Sequence, residues 1–138
     1  MLEPSIIESD AYRDLSGKAA MTVLIRFHQK AYRKRTSKRR RGVKDMIITN
    51  NGEIIFTYAE ANELGIKSSQ TFHRVIRELV EDKGFISISE PGNWYERKPT
   101  KFSIVERWKR YGTQKYEKEL VPRGLPMGLG FQKEQNSL

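Results

Sequence analysis

The pattern that most constrains this chain lies between residues 57 and 84. Phe72, Val75, Ile76, Leu79 and Val80 recur at the spacing that lines a single face of an α-helix. Ser68-Ser69 supplies a hydroxyl cap at the start of that helix, and Lys83-Gly84 supplies a stop at its end. Just upstream, Thr57 and Glu60 have capping-box spacing, Tyr58, Ala61 and Leu64 give two helical turns, and Gly65 ends them. The expected unit is a short helix, a glycine-containing turn and a longer second helix. Each residue advances about 100° around a helix axis, so an inward apolar stripe turns Gln70, Arg74, Arg77 and Glu81 outward, with His73 on the flank.

The flanking segments extend this unit. Ser16 opens an earlier helix with Ala20, Val23, Leu24, Phe27 and Ala31 on one face, ending near Lys34. Residues 35–45 keep no apolar period and carry mutually repelling charges, which predicts a mobile basic loop. Met46–Thr49 and Glu53–Phe56 flank Asn50-Asn51-Gly52, which predicts a small hairpin or turn. Downstream, Phe85, Ile86 and Ile88 read as a strand and Phe102, Ile104 and Val105 as its return, with the turn-rich EPGNWYERKPT between them. Residues 1–13 lack a sustained period and read as a loosely held arm. Residues 14–111 form the domain, and the Gly- and Pro-richer residues 112–138 form a partly flexible tail.

A short helix, a turn and a second helix of this length match the helix-turn-helix unit, and the hairpin after it makes the unit winged. Through FTYAEANELGIKSSQTFHRVIRELVEDKGFISI and the return strand RKPTKFSI, the chain resembles winged helix-turn-helix proteins of bacteria and their phages and plasmids. AYRDLSGKAAMTVLIRF and the NNGEI hairpin resemble an uncharacterised helix-turn-helix group of that kind, and the resemblance spans about residues 10–110. It implies an α+β fold, a three-helix core with a small antiparallel sheet and wing. It also implies duplex DNA as partner, in a regulator of transcription or a replication accessory. The spacing from Gly65 to Phe72 is one residue longer than in the tightest such units, which leaves the start of the recognition helix open by one position.

Charge places the candidate contacts. Among 138 residues there are 26 Lys or Arg against 17 Asp or Glu, a net charge of +9, as a polyanion-binding surface requires. From Arg26 to Lys44 there are ten cations and no acid, and from Arg97 to Lys118 eight cations against Glu106 and Glu117. On the recognition helix the candidate DNA contacts are Lys67, Ser68, Ser69, Gln70, His73, Arg74 and Arg77. Gln pairs its amide with adenine, Arg reaches guanine O6 and N7, and Glu81 at the far end repels phosphates. On the wing they are Asn93, Trp94, Tyr95, Arg97, Lys98 and Lys101, the two aromatics either entering a minor groove or packing back on the sheet as a lid. In the basic loop Lys34, Arg35, Lys38, Arg39, Arg40, Arg41 and Lys44 serve as an electrostatic clamp.

Enzymatic readings find little here. There is no Cys, and His28 and His73 have no ligand set at metal spacing. No phosphate loop, nucleophile elbow or HExxH occurs, so neither catalysis, nor a cofactor, nor a small-molecule ligand is expected. No apolar run approaches a membrane span, and the first residues do not resemble a signal peptide, which points to a cytoplasmic protein. Two rivals remain: an RNA-binding winged helix, or an interaction module whose basic faces meet an acidic protein. The second of these carries homodimerisation through the first helix or the tail.

Overall fold

A computed structural model describes residues 2–35, 46–93 and 95–122. The described residues mix helices with two antiparallel two-stranded sheets, in agreement with the expected α+β class. Helices α1 (Pro4–Ile7), α2 (Asp10–Arg13) and α3 (Lys18–Lys30) are followed by strands β1 (Arg33–Arg35) and β2 (Met46–Ile48). Helices α4 (Tyr58–Glu63) and α5 (Ser69–Arg77) come next, then strands β3 (Ile86–Glu90) and β4 (Lys101–Ile104). No helix among the described residues is long and apolar enough to cross a membrane.

The core is built where the apolar stripes meet. Phe27 from α3, Phe56, Phe72 from α5 and Phe102 from β4 are fully buried. Ring centroids lie 5.3 Å apart for Phe27–Phe56 and Phe27–Phe102, and 5.7 Å apart for Phe56–Phe72. Such tilted and edge-to-face aromatic pairs add about 0.5–1.5 kcal/mol each to the burial of the rings. Val23, Leu24, Val75, Ile76, Leu79 and Val80 complete the interior, as their helical spacing requires.

Several expectations are corrected. The segment 1–13 is not a loose arm, because Leu2, Ile6 of α1 and Ala11 of α2 are buried in the core. Helix α3 ends at Lys30 rather than Lys34, and Lys34 stands in a strand. The reason lies in Asn50, whose side-chain amide donates to the Lys30 carbonyl at 2.9 Å while its Oδ1 accepts the Tyr32 N–H at 2.8 Å. The chain leaves the helix there and pairs Arg33 with Ile48 and Lys34 with Ile47. Met46–Ile48 therefore has β1 as its partner; of the expected hairpin or turn, the turn forms, with the Glu53 N–H donating to the Asn50 carbonyl at 2.9 Å, and the hairpin with 53–56 does not. Ile54 instead bridges to Phe102, while Asn51 donates to the Ile104 carbonyl at 3.1 Å and accepts its N–H at 2.7 Å.

Helix α5 is continued by a widened turn, Glu78–Asp82, closed by a bond from the Lys83 N–H to the Glu78 carbonyl five residues back. The Glu78 carboxylate is buried and accepts both the N–H and the hydroxyl of Ser16, at 2.8 and 2.6 Å, with Lys83 Nζ 3.7 Å away. Gly84 then reverses the chain at φ 73°; a Cβ there would stand 2.8 Å from Arg107 Cβ. Residues 112–122 are held against the domain at several points. Tyr116 donates its hydroxyl to the Glu81 carbonyl at 2.8 Å, and the Glu119 carboxylate accepts the Ile88 N–H at 2.9 Å. The rest of the expected tail lies outside the described residues.

Candidate nucleic-acid interface

The two-helix unit forms as its caps dictate. Thr57 Oγ1 accepts the Glu60 N–H at 3.1 Å, Gly65 takes φ 98°, and Ser68 Oγ accepts the Thr71 N–H at 3.3 Å. Ser68 is thus the N-cap and Ser69 the first helical residue, which settles the position that the sequence left open. Tyr58 closes the turn from its hydroxyl to the Lys67 carbonyl at 3.0 Å.

Phe72, Val75 and Ile76 face inward, and Ser69, Gln70, His73, Arg74 and Arg77 are exposed. Among the described residues, no hydrogen bond or ion pair engages the side chains of Gln70, Arg74 or Arg77. Their neighbours are already occupied: Lys67 Nζ donates to Asn62 Oδ1 at 2.8 Å, and Ser68 is spent as the cap. His73 Nδ1 lies 2.7 Å from the Ser69 carbonyl, which can only accept, so Nδ1 carries the proton. Glu81 does not stand on the outer face as a repelling charge. It sits in the widened turn, half-buried, and its carboxylate accepts the Val121 N–H at 2.7 Å.

The β3–β4 connection is a closed loop. Asn93 and Lys98 exchange backbone hydrogen bonds at 2.9 and 3.0 Å, and Asn93 Oδ1 accepts the N–H groups of Tyr95 and Glu96. Arg97 completes the reversal at φ 56°. Tyr95 is 100% exposed, so it does not pack back as a lid. Trp94 lies outside the described residues. Lys98 stands 3.3 Å from Glu96, both exposed, whereas Arg97 has no ion pair among the described residues. Among the described residues, Lys101 is the least available of the expected wing cations. Its ammonium lies 2.8 Å from Glu53 and 3.7 Å from Glu90, and the hydrogen bond and charge of Glu53 raise its pKa above the ordinary lysine value.

The acid-free run from Arg26 is partly neutralised from elsewhere in the chain. Glu60 on α4 takes Arg26 at 3.0 Å and also pairs with Lys30, which ties α3 to α4. Arg33 turns back to His28, donating to its carbonyl at 3.1 Å and to Nδ1 at 2.8 Å. Lys34 is exposed on β1 and Arg35 contributes its backbone to that strand. Lys38, Arg39, Arg40, Arg41 and Lys44 lie outside the described residues.

Arg107 is likewise consumed. Its guanidinium donates to the carbonyls of Val80 at 2.9 Å, Ile86 at 3.0 Å and Glu117 at 3.0 Å, binding the widened turn, β3 and the C-terminal segment together. The sequence counted it only as a charge, since nothing local announces a carbonyl-binding arginine. It also borders a cleft of about 290 Å³ lined by Glu106, Arg110, Lys115 and Glu117. Among the described residues no group of three or more His, Asp or Glu is placed to hold a metal ion.

Comparison of the chain with family models, with curated proteins and with solved structures finds no match in any of the three.

Proposed function

We propose that this chain is a winged-helix protein that binds duplex DNA, with α5 laid in the major groove and the β3–β4 loop as a wing on the flanking backbone. The observation that carries this reading is the outer stripe of α5. Gln70, Arg74 and Arg77 are exposed, share one face and have no intramolecular partner among the described residues, while Arg26, Lys30, Arg33, Lys101 and Arg107 all have intramolecular partners. Arg74 and Arg77 suit guanine O6 and N7, and Gln70 suits adenine. Tyr95 and Arg97 project from the wing toward a minor groove or its phosphates. The protein acts by binding alone, as a cytoplasmic regulator or replication accessory of phage or plasmid type.

The test is selection of bound sequences from a random duplex pool, followed by variants on the enriched site. Gln70→Ala and Arg74→Ala should each cost about 1–3 kcal/mol on that site and little on random duplex. Failure to enrich any sequence contradicts base reading by α5, and tighter binding to structured RNA than to duplex DNA replaces this reading.

A further inference from the structure

The β1–β2 ribbon has two faces of different character. In an antiparallel pair, side chains directly opposite one another share a face and successive ones alternate. Arg33 and its partner Ile48 form the inward face, where Ile48 packs on the core and Arg33 reaches His28. Lys34 and its partner Ile47 form the outward face, extended by Tyr32 and Thr49, which are joined where the Thr49 N–H donates to the Tyr32 carbonyl at 2.7 Å. All four are exposed, with Tyr32 at 69% and Ile47 at 51%. Tyrosine and isoleucine standing in water beside lysine are unusual on a surface where most large apolar groups have been buried.

This face is also firmly rooted. Tyr32 is held at both backbone groups, its N–H by Asn50 and its carbonyl by the N–H and hydroxyl of Thr49. Asn50 is itself tied to the Lys30 carbonyl at the end of α3. The exposed ring is therefore presented from a fixed backbone, so no ordering of the main chain is needed on contact.

We propose that the outward face of this ribbon, Tyr32, Lys34, Ile47 and Thr49, is a second contact surface for duplex DNA, outside the segment covered by α5. Charge selects the occupant. From Arg33 to Lys44 the chain holds eight Lys or Arg and no acid, so a second copy docked on this face would oppose like charge to like. A duplex instead offers phosphates to the cations and, between them, sugar and base edges or thymine methyls to Tyr32 and Ile47. Lys34 meets phosphate oxygens, and the tyrosine ring and isoleucine lie along the groove wall.

The inference rests on the reading of α5 as a duplex binder, and its test separates the two. On the enriched duplex, Tyr32→Ala should weaken binding about five- to tenfold, and Tyr32→Phe should retain the affinity. Hydroxyl-radical footprinting should show Tyr32→Ala shortening the protected segment at one end while protection around the α5 contacts persists. Ile47→Ala should act in the same direction. Both positions are exposed, so circular dichroism and thermal melting should match the unaltered protein. Unchanged affinity and footprint for Tyr32→Ala, with Arg74→Ala still weakening the complex, would overturn the ribbon contact and leave the α5 reading standing. No duplex binding by the unaltered protein would overturn both. Loss of RNA or protein binding with duplex affinity intact would also reassign the face.

Discussion

Arg33 donates a guanidinium N–H to Nδ1 of His28 at 2.8 Å, so the root of the basic ribbon depends on an imidazole that must stay neutral on that nitrogen. Burial, reinforced by the positive charge of Arg33, lowers the His28 pKa from 6.5 to about 4.

A pH dependence follows from that contact. The unfolded chain takes up a proton near pH 6.5 that the folded chain refuses until about 4, so this contribution to stability is complete above 6.5 and is lost as pH falls through that window. The loss amounts to at most about 3 kcal/mol. Urea unfolding at pH 7 and pH 4.5 should show the unaltered protein losing more stability than His28→Gln, and equal losses would contradict the account.

Two glycines with positive φ should respond differently to alanine. At Gly65, φ is 98° and a Cβ meets nothing within 4 Å, so the cost is the backbone strain of about 1–2 kcal/mol. At Gly84 the same strain is joined by a contact of 2.8 Å with Arg107 Cβ and 3.1 Å with its backbone carbon. Chemical denaturation should place Gly84→Ala clearly below Gly65→Ala, and the reverse order would show that the segment around Arg107 yields.

On the β3–β4 loop, availability rather than charge should decide the phenotype. Arg97→Ala should weaken selected and random duplex alike and reduce the salt slope by about one. Lys101→Ala should leave both nearly unchanged, since that ammonium is held by Glu53 and Glu90. A larger defect for Lys101 than for Arg97 would mean that DNA displaces the acidic partners.

Replacing Arg39, Arg40 and Arg41 together by Ala should lower affinity for selected and random duplex by a similar factor. The dependence of log K on log salt should flatten by roughly two to three, because each lost phosphate contact removes close to one. If preference for the selected site vanished while random binding persisted, these arginines would be reading bases.

What was legible in the sequence was what neighbours along the chain decide. The Thr57 and Ser68 caps, the stripe from Phe72 to Val80 and the reversal at Gly84 each need only a few adjacent residues, and each stands where the pattern put it. What was not legible depends on distant partners. Met46–Ile48 had two β-capable neighbours to choose from, and the side chains of Asn50 and Asn51, fastened to Lys30 and Ile104, decided in favour of β1. Glu60 could not be seen to neutralise Arg26 and Lys30, nor Glu81 to hold Val121, because those contacts cross 30 residues or more. The exposed face of α5 was readable, whereas Tyr32 and Ile47 looked like parts of a helix end and a hairpin until their pairing placed them outward.

The most direct measurement is methylation interference on the duplex enriched by selection, which places a methyl on guanine N7 in the major groove. The account predicts that methylation at one or two guanines blocks binding by the unaltered protein, and that Arg74→Ala or Arg77→Ala makes the corresponding guanine indifferent to the methyl. Binding that tolerates N7 methylation throughout the site would contradict a major-groove role for α5.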